Sequence, residues 1–351
     1  MKKLGWFKLV TIGSLLRISF SFWTGNPHDF EIFVRVGYFV ANGVSPTLSR
    51  YPCIEGLGQP TYPYVPGIGY LPAWGLYLAL AFKVYEAFPL SPYFYYFLIK
   101  FLPILGDFAM TYIMYLLIIN FGGNAKRAEK IALGFFLCPF VIFLSSIWGM
   151  FDSVPILFTL LSLLLILYDK PYWSALSLAL GIYFKIFPII YLPLLLLFIQ
   201  RKRGLRDTIM YLLISLTVPF MLTLIPLVFY GWTISETAIT VLSQTQKMGD
   251  VLTYWNISAL LRDIFPSVFH NELLTSFFTF PLVRYLWLLG LMASYLLYYE
   301  YQKRVFSNTD PKENLYLLLK GFSFTTICFL LTRTFVPEQF VLYLLPILAM
   351  L

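Results

Sequence analysis

Long apolar runs recur from one end of this 351-residue sequence to the other, and they constrain its fold more than any other feature. Runs of roughly 17–25 apolar residues are long enough to cross the hydrocarbon core of a bilayer as helices. Only 12% of the residues are Asp, Glu, Lys or Arg, against about 25% in soluble domains. We therefore predict an all-α polytopic membrane protein. The predicted spans are 4–23, 92–119, 130–147, 151–168, 171–186, 187–200, 207–230, 281–300, 316–333 and 338–351.

The chain has ten or eleven predicted spans, depending on whether segment 66–88 crosses the membrane. The glycines and Pro72 of this segment make it a poor regular span and favour an interfacial or re-entrant element. If it does not cross, the basic clusters beginning at Lys2, Lys126, Arg201 and Lys303 all fall on one side of the membrane. Cytoplasmic loops collect Lys and Arg, so this choice is favoured, with a cytoplasmic N-terminus and 4–23 as a retained signal anchor.

This topology gathers scarce polar residues on the opposite, outer or lumenal side. We predict one domain, 1–351, with its active site on that face. The net charge of +8 then reflects topology, and no nucleic-acid partner is expected. Three cysteines form no framework, and no Cys/His spacing suggests a metal. No cofactor is firmly predicted, and a divalent cation stays an open alternative. The outer face would receive the loop 24–65, the turns 148–152 and 185–188, the loop 231–280 and the turn 333–338.

Asp29 and Glu31 follow the first apolar run directly, where an amphipathic helix lying on the membrane is predicted. An acid at a helix start is favoured simply as a cap. The functional alternative is a general base that removes a proton from a sugar or lipid hydroxyl. Both interpretations stay open from the residues alone.

Three further turns carry candidate groups, each with a structural alternative. Asp152 and Trp148 lie in a polar turn at the mouth of apolar helices, although a plain turn also uses Asp and Gly. Lys185 either snorkels to the surface or meets a lipid phosphate. Arg333 either binds phosphate in a bidentate fashion or pairs with Glu338.

Two charges inside the span 92–119, and one in the loop 231–280, complete the candidates. Lys100 and Asp107 lie seven residues apart, on one helix face, and Asp107 must have a partner. We interpret this pair as structural bracing. Arg262 is a weaker candidate within a long, aromatic-rich loop that could cover a site.

Taken in order, short motifs along nearly the whole chain resemble those of GT-C class membrane glycosyltransferases. More narrowly, they resemble the catalytic subunit of the first mannosyltransferase of glycosylphosphatidylinositol synthesis and its archaeal relatives. Each motif is short, and their common order carries the resemblance. The motifs are Pro27-His28-Asp29-Phe-Glu31, Gly43-Val-Ser-Pro46, Tyr62-Pro-Tyr64-Val-Pro66, Lys100 with Asp107, Ser145-Ser-Ile-Trp148-Gly-Met-Phe-Asp152-Ser, Lys185-Ile-Phe-Pro188, Tyr230-Gly-Trp-Thr-Ile-Ser-Glu236-Thr, Asn256-Ile-Ser258 and Glu338-Gln339-Phe340.

The resemblance implies a GT-C-like bundle of about 10–11 transmembrane helices, with an amphipathic interfacial helix in the first outer loop. It also implies inverting transfer of a hexose, above all mannose, from a polyprenyl- or dolichyl-phosphate sugar to a lipid-linked acceptor. Membrane lipids and a small membrane partner subunit are the other implied partners. By resemblance the catalytic acids are Asp29 and Glu31, the donor-phosphate ligands are Lys185, Arg333 and Arg262, and the sugar or acceptor ligands are Asp152, Trp148, Tyr62, Tyr64, His28, Asn256, Glu338 and Gln339.

Two departures from the family pattern bear on mechanism. If Asp29 matches the second acid of the family motif, Pro27 stands in place of the first, and Glu31 is the available substitute. A role that needs both family acids, including binding of a divalent cation, is weakened. The basic, His-containing patch that the family carries after its Glu-Thr is absent, which points to a different acceptor.

A lipid or sugar transporter or flippase is the alternative from another class, because broken helices and buried charges serve transport too. A transporter should show repeat symmetry and mid-span charges. This sequence shows no repeat, and Lys100 and Asp107 are the exceptions among charges that otherwise cluster at one set of span ends. An inactive scaffold subunit is a third possibility, supported only by the missing first acid.

Overall fold

A computed structural model describes residues 3–47, 50–57, 62–233, 235, 238, 283–306, 310–333 and 336–351. The described residues form thirteen α-helices and one antiparallel pair of two-residue strands. The predicted all-α class is therefore confirmed for this part of the chain. The elements are α1 Lys3–Ser21, α2 Asp29–Ala41, β1 Tyr51–Pro52, β2 Tyr64–Val65, α3 Pro72–Ala87, α4 Pro92–Leu117, α5 Ala125–Phe136, α6 Pro139–Ile142, α7 Ser153–Leu167, α8 Pro171–Phe184, α9 Leu192–Arg203, α10 Leu205–Tyr230, α11 Val283–Val305, α12 Pro311–Thr332 and α13 Val341–Met350.

Two compact units are present, and each is described by itself. The first contains the described parts of Met1–Ile189 and Tyr211–Val241, and the second those of Ile190–Met210 and Leu242–Leu351. The prediction of one functional domain stays a prediction.

Three described helical segments are long and apolar enough to cross a membrane: Pro92–Gly122, Leu205–Tyr230 and Pro311–Thr332. The first of them is α4 extended by a π-helical turn, Ile118–Gly122. A fourth candidate is the bent pair Ala125–Phe136 and Pro139–Trp148. These helices are consistent with a membrane protein, while the predicted ten or eleven spans stay a prediction.

The bent pair corrects the predicted continuous span 130–147. Its two helices meet at 45°. Pro139 starts α6, and a proline inside a helix lacks the N–H for the helical ladder and clashes with the carbonyl four residues earlier. The second helix continues into a π-helical turn, Phe143–Trp148. The kink therefore follows from Pro139, which a hydropathy pattern does not distinguish from the apolar residues around it.

The predicted break before Pro188 is confirmed, whereas the prediction that segment 66–88 does not cross the membrane stays a prediction. α8 ends at Phe184, and Lys185 is extended, so the chain breaks just before Pro188 as expected. The ambiguous segment 66–88 contains only the 16-residue helix α3. At 1.5 Å per residue a helix of this length reaches about 24 Å, less than the roughly 30 Å of a bilayer core.

Helix α2 is confirmed as a helix, but its surroundings differ from the prediction of an interfacial element. Eight of its thirteen residues are buried, including Arg35. The helix packs against α3, and an aromatic core lies beside it, in which Trp74 stacks on Phe151 with ring centroids 4.2 Å apart. The amphipathic pattern reflects packing within the protein because α3 and the β1–β2 pair cover it.

The second unit is a helical cluster of α9, α11, α12 and α13. Tyr191 stacks on Phe322 with centroids 4.3 Å apart and shares a 2.7 Å hydrogen bond with Thr326. Tyr295 donates to the Ile190 carbonyl at 2.9 Å. These polar contacts tie α11 and α12 to the start of α9.

Candidate active site

Asp29 stands at the first residue of α2, but it is not the cap of that helix. The Asn26 side-chain oxygen accepts from the backbone N–H groups of His28 at 2.9 Å and Asp29 at 3.0 Å. The Asp29 carboxylate instead accepts a 3.0 Å hydrogen bond from the Trp148 indole N–H. Capping by Asn26 therefore leaves the half-buried Asp29 carboxylate available for another role.

The π-helical turn Phe143–Trp148 positions the indole partner of Asp29. The Asn26 N–H donates to the Trp148 carbonyl at 3.1 Å, so backbone and side-chain bonds both join this turn to the start of α2. Gly149 ends the turn with φ of 91°, and a Cβ there would lie 2.5 Å from the Phe30 ring. Only glycine fits that close approach, and π-helical turns are frequent at functional sites.

Lys100 orders the segment that leads into Asp29. Its ammonium donates to the carbonyl of Thr24 and to the Thr24 hydroxyl, and it lies 4.7 Å from the Phe30 ring centroid. Thr24 in turn donates to the Ser146 carbonyl at 3.0 Å. Lys100 therefore braces the segment through Thr24. The prediction that Lys100 and Asp107 act as one pair is wrong, because Asp107 pairs with Arg17 instead.

Asp107 pairs with Arg17, a residue that the sequence analysis missed. The Arg17 Nε donates to the Asp107 carboxylate at 2.9 Å, and both side chains are fully buried. The Ser145 hydroxyl donates to the same carboxylate oxygen at 2.6 Å. An arginine inside the first apolar run was the available signal, because a buried charge needs a partner.

Asp152 and Lys185 form a buried ion pair with 2.6 Å between Nζ and Oδ1. Lys185 is 6% exposed, so it does not extend to the surface as a snorkelling lysine would. Its ammonium lies 5.5 Å from the ring centroids of both Tyr70 and Phe151. Two residues predicted on separate turns are thus brought together, with aromatic walls around the cation.

Tyr70, which the sequence analysis did not select, lies in the same cluster. Its ring meets Phe151 edge-on at 5.0 Å between centroids. Burial, followed by the negative charges of Asp152 and then Asp29, raises the pKa of the Tyr70 hydroxyl above its usual range. Tyr70 therefore lies within electrostatic reach of both carboxylates, and nothing in the sequence near it signals this.

Glu31 is held by Arg35, one helical turn further on. The Arg35 guanidinium pairs with the Glu31 carboxylate and donates to the carbonyls of Tyr51 at 3.0 Å and Pro63 at 3.3 Å. It also donates to the Tyr62 carbonyl. The Glu31 carboxylate thus holds the arginine that anchors the β1–β2 pair, whereas Asp29 takes no part in these contacts. The spacing of an acid and an arginine by four residues was the signal that could have shown this.

The predicted acceptor ligands near β2 are exposed aromatic groups. His28 and Tyr62 meet edge-on with ring centroids 5.5 Å apart. The Arg50 guanidinium lies 6.0 Å from the ring centroid of Tyr64. His28 and Tyr62 therefore flank the start of α2, where Asp29 lies.

In the second unit, Arg333 directly follows α12. Its guanidinium lies 5.1 Å from the Phe329 ring centroid and 5.6 Å from that of Phe340. Arg333 carries a positive charge at neutral pH, because a guanidinium stays protonated in proteins. Glu338 is exposed and Gln339 is buried. The remaining candidates, Arg262 and Asn256, lie outside the described residues.

Comparison with protein-family models finds no match for this chain, and comparison with curated proteins finds none either. Within the described residues, no group of three or more His, Cys, Asp and Glu side chains is placed to hold a metal ion.

Proposed function

We propose that this protein is an inverting glycosyltransferase that moves a hexose, most simply mannose, from a polyprenyl- or dolichyl-phosphate sugar to a lipid-linked acceptor. The observation that carries the proposal is the state of Asp29. Asn26 performs the capping, Trp148 orients the carboxylate, and the carboxylate stays half exposed. A general base needs such an oriented and accessible carboxylate.

In the proposed reaction, Asp29 accepts the proton of an acceptor hydroxyl as that oxygen attacks the anomeric carbon of the donor sugar. The new bond forms on the face opposite to the lipid phosphate, so the anomeric configuration inverts. The bond between the anomeric carbon and the phosphate oxygen breaks, and the lipid phosphate leaves with the electron pair. No acid partner is required, because the phosphate leaves as a stable anion.

The other predicted site residues take supporting roles in this proposal. Asp152, Trp148 and the exposed Tyr62, Tyr64 and His28 bind sugar or acceptor. Cations stabilise the departing phosphate, where a low-dielectric surround strengthens charge pairing. Lys185 would share its charge with Asp152, so its contribution is smaller than the resemblance implies. The remaining proposed ligands are Arg333 and Arg262 for the phosphate, and Asn256, Glu338 and Gln339 for the sugar or acceptor.

The finer fold belongs to the same proposal. A GT-C-like bundle of about 10–11 transmembrane helices would place the site on the outer or lumenal face, where both lipid-linked substrates are found. A small membrane partner subunit is included in the proposal because the resembled family implies one. Glu31 is proposed only as a reserve base, since its ion pair with Arg35 holds it in place.

Reconstitution with radiolabelled polyprenyl-phosphate-mannose and native membrane lipids tests the proposal. Wild type should move label to a new lipid, and Asp29→Asn should lower the rate by about 100-fold or more, the size of general-base contributions. Glu55→Gln is the matched control, because Glu55 is an exposed acid in the same loop. It should leave the rate unchanged.

Three outcomes would contradict parts of the proposal. Full activity in Asp29→Asn would move the base elsewhere, with Glu31 and Asp152 to be replaced next. A folded wild type that transfers no sugar from any polyprenyl-phosphate donor would refute glycosyl transfer. If that protein instead moved the labelled lipid across the bilayer without forming a new product, the transporter alternative would replace it.

A further inference from the structure

Three polar residues from separate segments of the first unit are linked by contacts and by charge. Asp29 begins α2, Tyr70 precedes α3, and Asp152 precedes α7. The Tyr70 ring contacts Phe151, the chain neighbour of Asp152, and the Lys185 ammonium that pairs with Asp152 lies beside the same ring. The charges of both carboxylates act on the Tyr70 hydroxyl. The Tyr70 ring therefore lies beside the Asp152–Lys185 pair, and the charge of Asp29 also reaches its hydroxyl.

The Tyr70 hydroxyl makes no hydrogen bond to any residue in the described part of the chain. A half-buried hydroxyl without a partner costs free energy unless a ligand or water satisfies it. A phenol is protonated at neutral pH, and burial, followed by the charges of Asp152 and Asp29, raises the pKa of Tyr70 further, so the hydroxyl is a hydrogen-bond donor throughout the neutral range. A ligand that binds beside Tyr70 can therefore accept a hydrogen bond from its hydroxyl.

The arrangement favours neutral hydroxyl groups over an anion. Ionised carboxylates only accept hydrogen bonds, and the Tyr70 phenol donates one. A hexose ring carries hydroxyls that each donate and accept, so one can accept from the Tyr70 phenol while another donates to the half-exposed Asp29 carboxylate, with the buried Asp152 behind them. A phosphate would meet two carboxylates and a single ammonium that Asp152 already holds at 2.6 Å. The negative charges of the phosphate and of the two carboxylates would repel one another.

We propose that Tyr70 is a sugar-binding residue whose hydroxyl donates a hydrogen bond to one ring hydroxyl of the hexose, within a subsite formed with Asp29 and Asp152. This inference rests on the proposed function, because the hexose is the group being transferred. The Trp148 indole, bound to Asp29, supplies an apolar face at the edge of the subsite. Lys185 fixes Asp152 within it.

Tyr70→Phe tests the inference, since it removes only the oxygen and keeps the ring packed on Phe151. Tyr85→Phe is the matched control: Tyr85 is another half-buried tyrosine of the first unit, and it lies on α3 against Tyr95. The donors are polyprenyl-phosphate-mannose and analogues that each lack one ring hydroxyl. We expect kcat/KM of Tyr70→Phe to fall about tenfold with mannose, the effect of one lost hydrogen bond to substrate.

The decisive readout is selectivity among the analogues. Wild type should discriminate against one particular deoxy sugar by about tenfold or more, and Tyr70→Phe should lose that discrimination alone. A merely structural role for Tyr70 would lower activity equally with every analogue. Equal losses, or an unchanged kcat/KM with mannose, would overturn the inference while leaving the transferase proposal intact.

Equilibrium binding of polyprenyl-phosphate-mannose separates the two proposals. A wild type that binds this lipid and transfers nothing, together with weaker binding by Tyr70→Phe, would retain the sugar subsite and refute the transferase. A wild type that neither binds nor transfers any of the sugars would overturn both.

Discussion

At the scale of single residues, mutations can separate the structural role of the Asp152–Lys185 pair from the functional role proposed for it. Asp152→Asn leaves a buried ammonium without its 2.6 Å carboxylate partner. Removing one member of a buried pair typically costs about 3–5 kcal/mol. We therefore expect Asp152→Asn to lower the thermal unfolding midpoint in detergent markedly.

The double substitution Asp152→Leu with Lys185→Met supplies the contrast. Because apolar replacements of a buried pair are often neutral for stability, it should recover most of the midpoint but not the sugar transfer. Glu86→Gln is the control, since the Lys83–Glu86 pair is about half exposed and such pairs contribute little. Transfer by the stable double variant would show that Asp152 only braces the turn.

Because charged residues are scarce in this chain, single charged residues could be selected from the sequence as candidates. The residues that lie beside them in the fold could not. Asp29, Asp152 and Lys185 stand out in a chain with so few charges, and the structure places all three in one unit. Tyr70 did not stand out among 26 tyrosines, because the role proposed for it depends on two carboxylates that distant segments supply. Pairing between distant segments is a tertiary property that local spacing does not record, in contrast to the Glu31–Arg35 pair within one helix.

At the scale of elements, Arg17 locks α1 against the bend between α5 and α6. Its guanidinium donates to the Phe136 carbonyl at 2.8 Å as well as to Asp107. Phe136 is the last residue of α5, where the helical ladder stops before Pro139. One side chain therefore satisfies a buried acid and a helix-end carbonyl that needs a donor outside the helix.

Arg17→Met should lower the unfolding midpoint strongly, while Arg17→Lys should give an intermediate value. Lysine keeps the charge for Asp107, but its compact ammonium lacks the planar fork that serves two separated acceptors. The measurement is thermal unfolding in detergent, with Lys130→Met as the control because Lys130 is exposed on α5. Equal midpoints for wild type and Arg17→Lys would show that the Phe136 contact is dispensable.

Helix existence was predictable from hydropathy, whereas the bends between helices followed other rules. Each predicted span corresponds to at least one observed helix, and the break before Pro188 was expected from the sequence. The break at Pro139 was missed because the apolar run continues through it unchanged. Burial of α2 was missed for a related reason: an apolar stripe looks the same whether lipid or α3 covers it.

At the scale of the whole molecule, the side of the membrane on which each loop lies follows from one decision about α3. If its 16 residues do not cross, the basic clusters before α1, at the start of α5 and at the end of α9 share one side. If α3 crosses, the start of α5 moves to the side of the β1–β2 pair. The positive-inside rule favours the first arrangement.

Single-cysteine labelling decides between the two arrangements. Cys53 is exposed beside β1, and Cys138 and Cys328 can be replaced by alanine. In intact cells, a membrane-impermeant maleimide should label Cys53 and should not label Lys126→Cys, made in a Cys53→Ala background at the exposed start of α5. Labelling of both sites would mean that α3 crosses the membrane. Labelling of Lys126→Cys alone would put Asp29 and the proposed sugar subsite on the cytoplasmic face, and the donor and acceptor lipids would then have to be presented there.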